Sequence, residues 1–252
     1  MNLTAMNNEG NLSPPSQTPP PPTPPPETPY ERRFSTSERL LKILTSPAQA
    51  MKDIAETPNY TEPTLIILVQ AIFAAISVAL VMQKIKIVGA EPTLSTVQNI
   101  LIGVLAFGVI FAGILLFVFW LGKSLLVKVF CNTQSNWDFK TAAATTGYAY
   151  MPVIVIGVIG LVVTFFLLPL FTVDVTNLDA ARSALSNYQT QLNWLKFLVS
   201  LPLSLVGLIW QSYVGSLGVH FGTKGKCSTA LGFTVFFILG LLGLAFSYIL
   251  GR

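Results

Sequence analysis

The sequence predicts an all-α polytopic membrane protein: a bundle of five transmembrane helices with short amphipathic interfacial helices and a disordered Pro-rich N-terminal tail. Three observations carry that prediction. The 252 residues are 52% hydrophobic and only 10% charged, where soluble domains carry about 25% charge. The mean hydropathy is +0.63. Five apolar segments each approach the roughly 20 residues that a helix needs to cross a bilayer core about 30 Å thick. Strands of a membrane barrel are shorter and alternate in polarity, so the segments read as helices.

Residues 1–30 are low in complexity, with ten prolines from Pro14 to Pro29. Proline fixes φ and lacks an amide donor, so the tract is expected to be an extended, solvated polyproline segment. It is a spacer or, through the PxxP spacing of "PPPPTPPP", a ligand for a Pro-rich-motif reader. "MNLTAMNNEGNL" has neither the basic start nor the apolar stretch of a cleavable signal peptide.

Residues 31–62 read as cytoplasmic amphipathic interfacial helices. Ser35 and Glu38 have capping-box spacing. Ser46 followed by Pro47 is a second helix start, with proline at the first helical position. Phe34, Leu40, Leu41 and Leu44 share one side of the first helix, and Met51 and Ile54 one side of the second. Arg32, Arg33, Arg39, Lys42 and Lys52 supply positive charge. Helices of this kind lie on the membrane surface or pack on the inner ends of the spans.

Residues 63–252 form the membrane domain, with spans expected at 64–83, 100–121, 150–171, 195–214 and 231–250. Ten basic residues lie on the amino-terminal side of the membrane: the five above with Lys123, Lys128, Lys140, Lys224 and Lys226. The other side has five, Lys84, Lys86, Arg182, Lys196 and Arg252. The positive-inside rule then puts the N-terminus in the cytoplasm and, after an odd number of spans, the C-terminus outside. The outer loop after span three carries Leu178, Ala181, Leu185, Tyr188 and Leu192 at helical spacing, an amphipathic helix leading into span four. Small residues recur along the spans: Ala71, Ala75 and Ala79; Gly108 and Ala112; Ser200, Ser204, Ser212 and Ser216; Gly240 and Gly243. They are expected to form helix–helix seams, because lipid provides no hydrophobic drive for association. Trp120 and Trp194 sit where interface anchors belong.

The chemistry is sparse. No span has Asp, Glu, Lys or Arg at its middle, which weighs against an ion or proton pathway. Gln70 and Gln211 are the candidate intramembrane polar contacts, as interhelical hydrogen bonds or as substrate ligands. HExxH and Walker spacings are missing, and "FGTKGK" follows no strand. His220, Cys131 and Cys227 match no zinc pattern, and the cysteines form no pair motif. No catalytic, cofactor or metal site is expected, and no clustered basic face suits nucleic acid.

"GYAYMP", at the entry to span three, is the candidate functional surface through Gly147, Tyr148, Tyr150 and Pro152. Ser135 and Asp138 can cap a helix that begins in the preceding loop. Pro152 removes an amide donor and crowds the carbonyl of Tyr148, so a kink or restart is expected. The tyrosine rings suit the headgroup layer.

The lead-in "LLKILTSPAQAMKDIAETPNYTEP" and the stretch "LGKSLLVKVFCNTQSNWDFKTAAATTGYAYMP" resemble those of the Yip family, five-span membrane proteins named for eukaryotic relatives that interact with Ypt/Rab GTPases. The resemblance covers about residues 38–250 and is to a prokaryotic type. It implies a prokaryotic cell membrane, a cytoplasmic N-terminus and an outer C-terminus. The "DLYGP" of many eukaryotic members is absent, so no GTPase binding is carried over. The expected function is that of a non-enzymatic integral membrane protein that organises membrane or partner proteins. Its expected partners are the lipid bilayer and a homo- or hetero-oligomer with membrane proteins. The alternative is a small-solute transporter or channel, suggested by Pro152, Pro169 and Pro202 in spans three and four.

Overall fold

Nine helices and a two-stranded sheet make up the described part of the chain, in the order α1 (Thr36–Thr45), α2 (Pro47–Glu56), α3 (Thr61–Met82), β1 (Ile85–Val88), α4 (Thr93–Phe130), α5 (Phe139–Tyr148), α6 (Met151–Leu167), β2 (Phe171–Asp174), α7 (Leu178–Leu195), α8 (Leu201–Gly222) and α9 (Thr229–Leu250). The computed structural model describes residues 31–89, 93–131, 137–174 and 176–250. The proline-rich tail, Ser135 and Arg252 lie outside them. Five stretches are long and apolar enough to cross a membrane: Thr61–Met82, Gln98–Phe130, Phe139–Leu167, Asp179–Gly222 and Thr229–Phe246.

The amino-terminal helices form as their caps predict. Ser35 caps α1, with its side chain on the Glu38 amide and the Glu38 carboxylate returned to the Ser35 amide. This reciprocal pair satisfies donors that a helix start otherwise leaves open. Pro47 opens α2. Ile43, Ala50, Met51 and Ile54 are buried in the main core with Val127, Trp137, Tyr148, Val214 and Phe236. Both helices therefore pack on the bundle end, with Leu41 of α1 left exposed. Helix α8 is the centre of the assembly and packs against α9, α2, α6 and α5.

Helix α4 is the largest departure from the expected spans. At 38 residues it measures about 57 Å, nearly twice the hydrocarbon thickness. The helix does not stop at Leu121, because Lys123 is accommodated over the rings of Tyr150 and Phe236. Much of its surface is apolar and exposed, including Ile102, Phe107, Ile110, Val118, Leu125 and Val129. Among the described residues nothing lies within 4 Å of a Cβ at Gly108, so that small residue joins no seam between them.

Span three is split. The first piece, α5, ends at Tyr148, and α6 restarts at Met151 with Pro152 in its first turn. Helix α6 stops at Leu167, short of Phe171, because the residue before a proline is driven out of the α region. Leu168, before Pro169, has φ −72° and ψ 119°. Phe171 instead opens β2, which pairs in parallel with β1 in the register Ile85↔Phe171 to Val88↔Asp174. The short sheet was not expected. Its signal was the alternation in "IKIV" and "FTVD", too brief to stand out beside 20-residue apolar runs. Tyr188 of α7 stacks on Phe171 at 4.3 Å between centroids. The buried side of α7 uses Tyr188 and the half-buried Ala181, Ala184 and Leu192, while Leu185 faces out. Helix α7 passes through a five-residue π-turn, Lys196–Ser200, into α8, with Pro202 immediately beyond. Such a single π-turn inside a longer helix is rare and shifts its hydrogen-bond register.

Candidate functional site

The polar chemistry of the molecule gathers where α1, α2, α3 and α5 meet. Arg39, placed on the surface by its helix pattern alone, is fully buried, and so, within a few per cent, are Asp53 and Glu62. An arginine can occupy such a position only if its fork of donors is met. Its Nε donates to Asp53 Oδ2 at 2.7 Å and its Nη1 to Glu62 Oε2 at 3.1 Å. Its Nη2 donates to the Asp53 carbonyl and to the Thr57 hydroxyl. Burial alone would pull the Arg39 guanidinium below its ordinary value. The hydrogen bond and charge of Asp53 more than offset that, and the net shift is upward. Arg39 is thus fixed as a cation.

Glu62, in the first turn of α3, receives four side-chain donors. Arg32 and Thr36 donate to Oε1, and Arg39 and Tyr148 to Oε2. Its backbone amide donates to Asn59 Oδ1 at 3.2 Å. Asp53 also accepts from the Arg33 amide at 2.9 Å. Two arginines and two carboxylates balance in charge, and charge-assisted bonds of this type are the strong ones. The cluster holds the two amino-terminal helices to the first span and, through Tyr148, to the split third span.

This cluster decides the fate of "GYAYMP". Tyr148 is buried with its hydroxyl on Glu62, so its ring sits inside the protein and not in a headgroup layer. Gly147 is required by close approach. A Cβ there would fall 2.4 Å from Pro63 Cβ and 3.0 Å from Trp120 Nε1, so α5 rests directly on the start of α3. Trp120 is likewise an internal strut rather than an interface anchor. Its indole donates to the Ala143 carbonyl at 3.0 Å. Trp194 remains exposed. Asp138 caps α5 through the Thr141 amide at 2.8 Å.

The candidate residues therefore divide into two groups. Gly147 and Tyr148 belong to the charged cluster. Tyr150 lies on the other side of the break, where Gln211 of α8 approaches its hydroxyl. The Gln211 amide nitrogen is buried and makes no well-formed hydrogen bond there. Pro152 is buried at the restart of α6. Gln70 is separate, with its buried side-chain oxygen lacking a partner. A small apolar recess of about 150 Å³ runs beside the cluster, lined by Leu40, Leu65, Ile66, Val69, Met151 and Ile154, with Thr36 and Glu62 at its polar end.

Sequence reasoning missed the cluster because Arg39, Asp53, Glu62 and Tyr148 are spread over 110 positions. The usable signal was local. Arg39 shares its face of α1 with Ile43, four residues on, and both are fully buried. Cys131 and Cys227 also come together in the core. Burial and the nearby Cys227 push the Cys131 thiol above its ordinary value, which keeps it protonated and a poor nucleophile or metal ligand. The His220 Nδ1 lies 3.3 Å from the Cys227 carbonyl. Among the described residues no group of three His, Cys, Asp or Glu is placed to hold a metal.

The model of the Yip1 domain family matches residues 41–248, most of the chain and all five apolar stretches. The chain belongs to that family. No curated protein and no solved structure matches it.

Proposed function

We propose that this Yip1-domain protein is a non-enzymatic integral membrane protein that organises membrane or partner proteins. The observation that carries the reading is the Arg39–Asp53–Glu62–Tyr148 cluster. Its charged groups face one another and fix α1 and α2 to the spans, which makes a firm platform out of segments that would otherwise move on the membrane surface. The buried carboxylates are saturated by donors, Glu62 included although it borders the small apolar recess. The long apolar face of α4 and the proline-rich tail are then the surfaces through which other molecules would be met, a second copy or another membrane protein on α4 and a proline-motif reader on the tail. The excess of basic residues at the α1/α2 end supports a cytoplasmic N-terminus.

Crosslinking in native membranes followed by purification of the full chain tests this reading. Specific, reproducible crosslinks from α4 positions such as Phe107 or Val118 to a protein partner or a second copy are expected. A chain recovered only as monomer, with no partner and no change in membrane properties on its deletion, would overturn it.

One set of observations favours the alternative of a small-solute transporter or channel. The restart at Pro152 and the π-turn before Pro202 interrupt two neighbouring helices, and the partnerless Gln211 amide lies beside the first of these breaks. Reconstituted vesicles in which flux of a small solute is abolished by Gln211→Leu would establish that reading in place of the first.

A further inference from the structure

Lys123 is set among aromatic rings, with no carboxylate of the described residues beside it. Its ammonium lies 5.5 Å from the centroid of the Tyr150 ring and 4.9 Å from that of Phe236. Among the described residues no carboxylate pairs with it, since the three ion pairs are those of Arg32 and Arg39. Of the acids of this end, Asp53 and Glu62 are engaged in the cluster, Glu38 in its capping box and Asp138 at the start of α5, and neither Glu31 nor Glu56 forms an ion pair with Lys123. Residues 132–136, the nearest segment outside the described residues, read NTQSN and hold no carboxylate. Two cation–π contacts are weaker partners for an ammonium than a carboxylate would be. An ammonium taken out of water is stabilised by a counter-charge.

The surroundings of Lys123 are a built seat. Phe236 of α9 is pressed against Gly215 of α8, where a Cβ would lie 2.6 Å from the ring. One turn earlier on α8, Gln211 is buried and approaches the Tyr150 hydroxyl, where its amide nitrogen makes no well-formed hydrogen bond. A lysine ammonium has only donors, and the free end of Gln211 is a donor as well. Both adjoin Tyr150, whose hydroxyl is the one acceptor beside the Gln211 amide, while the three donors of Lys123 face rings. An ionisable residue in a membrane-embedded helix with unsatisfied donors around it is a binding site by default.

Position selects the acceptor. Lys123 is seven residues before the end of α4, about 10 Å along the axis, near the basic end of the bundle. The flanks are apolar and exposed: Leu121 and Leu125 on α4, and Leu242 and Phe246 on α9. Nothing lies within 4 Å of a Cβ at Gly122 or Gly243. Phe119 and Phe246 touch edge-on at 6.5 Å, so the two helices meet along a thin seam with open apolar shoulders. An amphiphile with acyl chains on those shoulders and an anionic head at Lys123 satisfies both the donors and the apolar surface.

We infer that Lys123 and Gln211, with the rings of Tyr150 and Phe236, seat the phosphodiester headgroup of an anionic phospholipid at the α4/α9 seam. This inference stands apart from the organiser reading, because a lipid seat would serve a transporter equally.

The test uses the full chain in nanodiscs of equimolar phosphatidylcholine and phosphatidylglycerol, released and weighed by native mass spectrometry. Phosphatidylglycerol should be retained over phosphatidylcholine by about tenfold, which corresponds to about 1.4 kcal/mol. Lys123→Gln should bring the two lipids near parity, and Lys123→Arg should keep the preference. Gln211→Leu should lose part of it. Added inorganic phosphate should not displace the lipid. Parity in the unmodified protein, undiminished preference in Lys123→Gln, or displacement by free phosphate would overturn the inference. If Lys123→Gln does not fold, the lipid ratio of the unmodified protein and its response to free phosphate still decide.

Discussion

The two ends of this bundle are built on different principles. At the α1/α2 end, four helices converge on buried charge, and nearly all of the fully buried large side chains are found there, Arg39, Ile43, Met51, Ile54, Tyr148 and Phe236 among them. At the other end, a four-residue parallel strand pair and one amphipathic helix close the structure, with Leu168 and Tyr188 the buried side chains. One end gains its order from long-range, charge-balanced bonds, the other from local backbone pairing and a single stacked ring pair. Buried charge makes an end specific as well as firm, because removal of any one partner leaves another uncompensated in a low dielectric. The strand end can lose a contact and keep its neighbours.

The sharpest way to break that contrast is at Arg39. Arg39→Met should cost about 3–5 kcal/mol, since it strands Asp53 and Glu62. Thermal unfolding in detergent or nanodiscs should show a large drop, with α1 and α2 detaching first. A melting temperature within a degree of the unmodified protein would remove the cluster from the account. Next in size, Gly147→Ala should cost about 1–3 kcal/mol through overpacking against Pro63 and Trp120, whereas Gly108→Ala, where nothing is close, should be neutral or mildly stabilising in the same melt. Tyr148→Phe removes one donor from Glu62 but leaves three. It should cost about 0.5–1.5 kcal/mol, less than Gly147→Ala.

The same contrast explains what could be read from the sequence. Number of spans, the caps at Ser35 and Asp138, the restart at Pro152 and the helix before span four were legible because each depends on residues close in sequence. The four-residue strands were hidden by their brevity beside apolar runs. The extent of α4 was hidden because a lysine ordinarily marks the end of a span, and only the rings of Tyr150 and Phe236 from two other helices permit Lys123 to continue it. Tyr148 and Trp120 look like interface aromatics from their positions. Their partners, Glu62 and the Ala143 carbonyl, lie 86 and 23 residues away, and no local pattern announces them.

At the strand end a smaller effect is expected. Tyr188→Ala removes the stack on Phe171, a geometry worth about 0.5–1.5 kcal/mol beyond area burial. Hydrogen exchange should accelerate at 85–88 and 171–174 while α1 and α2 keep their protection. Loss of protection at both ends together would mean that they are coupled, contrary to the two-ended account.

The smallest effect is one of pH. The Ser35 amide and hydroxyl bonds hold the exposed Glu38 carboxyl below its ordinary value of 4.5. A carboxyl depressed in the folded state contributes stability above its unfolded value and loses it as pH falls through the folded one. The amides at the start of α1 should therefore fray only below about pH 4.5, and Glu38→Gln should flatten that step. Fraying that begins near neutrality would point to a different group.

Hydrogen exchange on the full chain in a bilayer tests the central claim most directly, by comparing α1, α2 and the first two turns of α3 with β1 and β2. The unmodified protein should protect α1 and α2 as strongly as the core of α8 and far more strongly than the strands, and Arg39→Met should release α1, α2 and the start of α3 together. Helices α1 and α2 that exchange as fast as the strands in the unmodified protein, or that keep their protection in Arg39→Met, would contradict it.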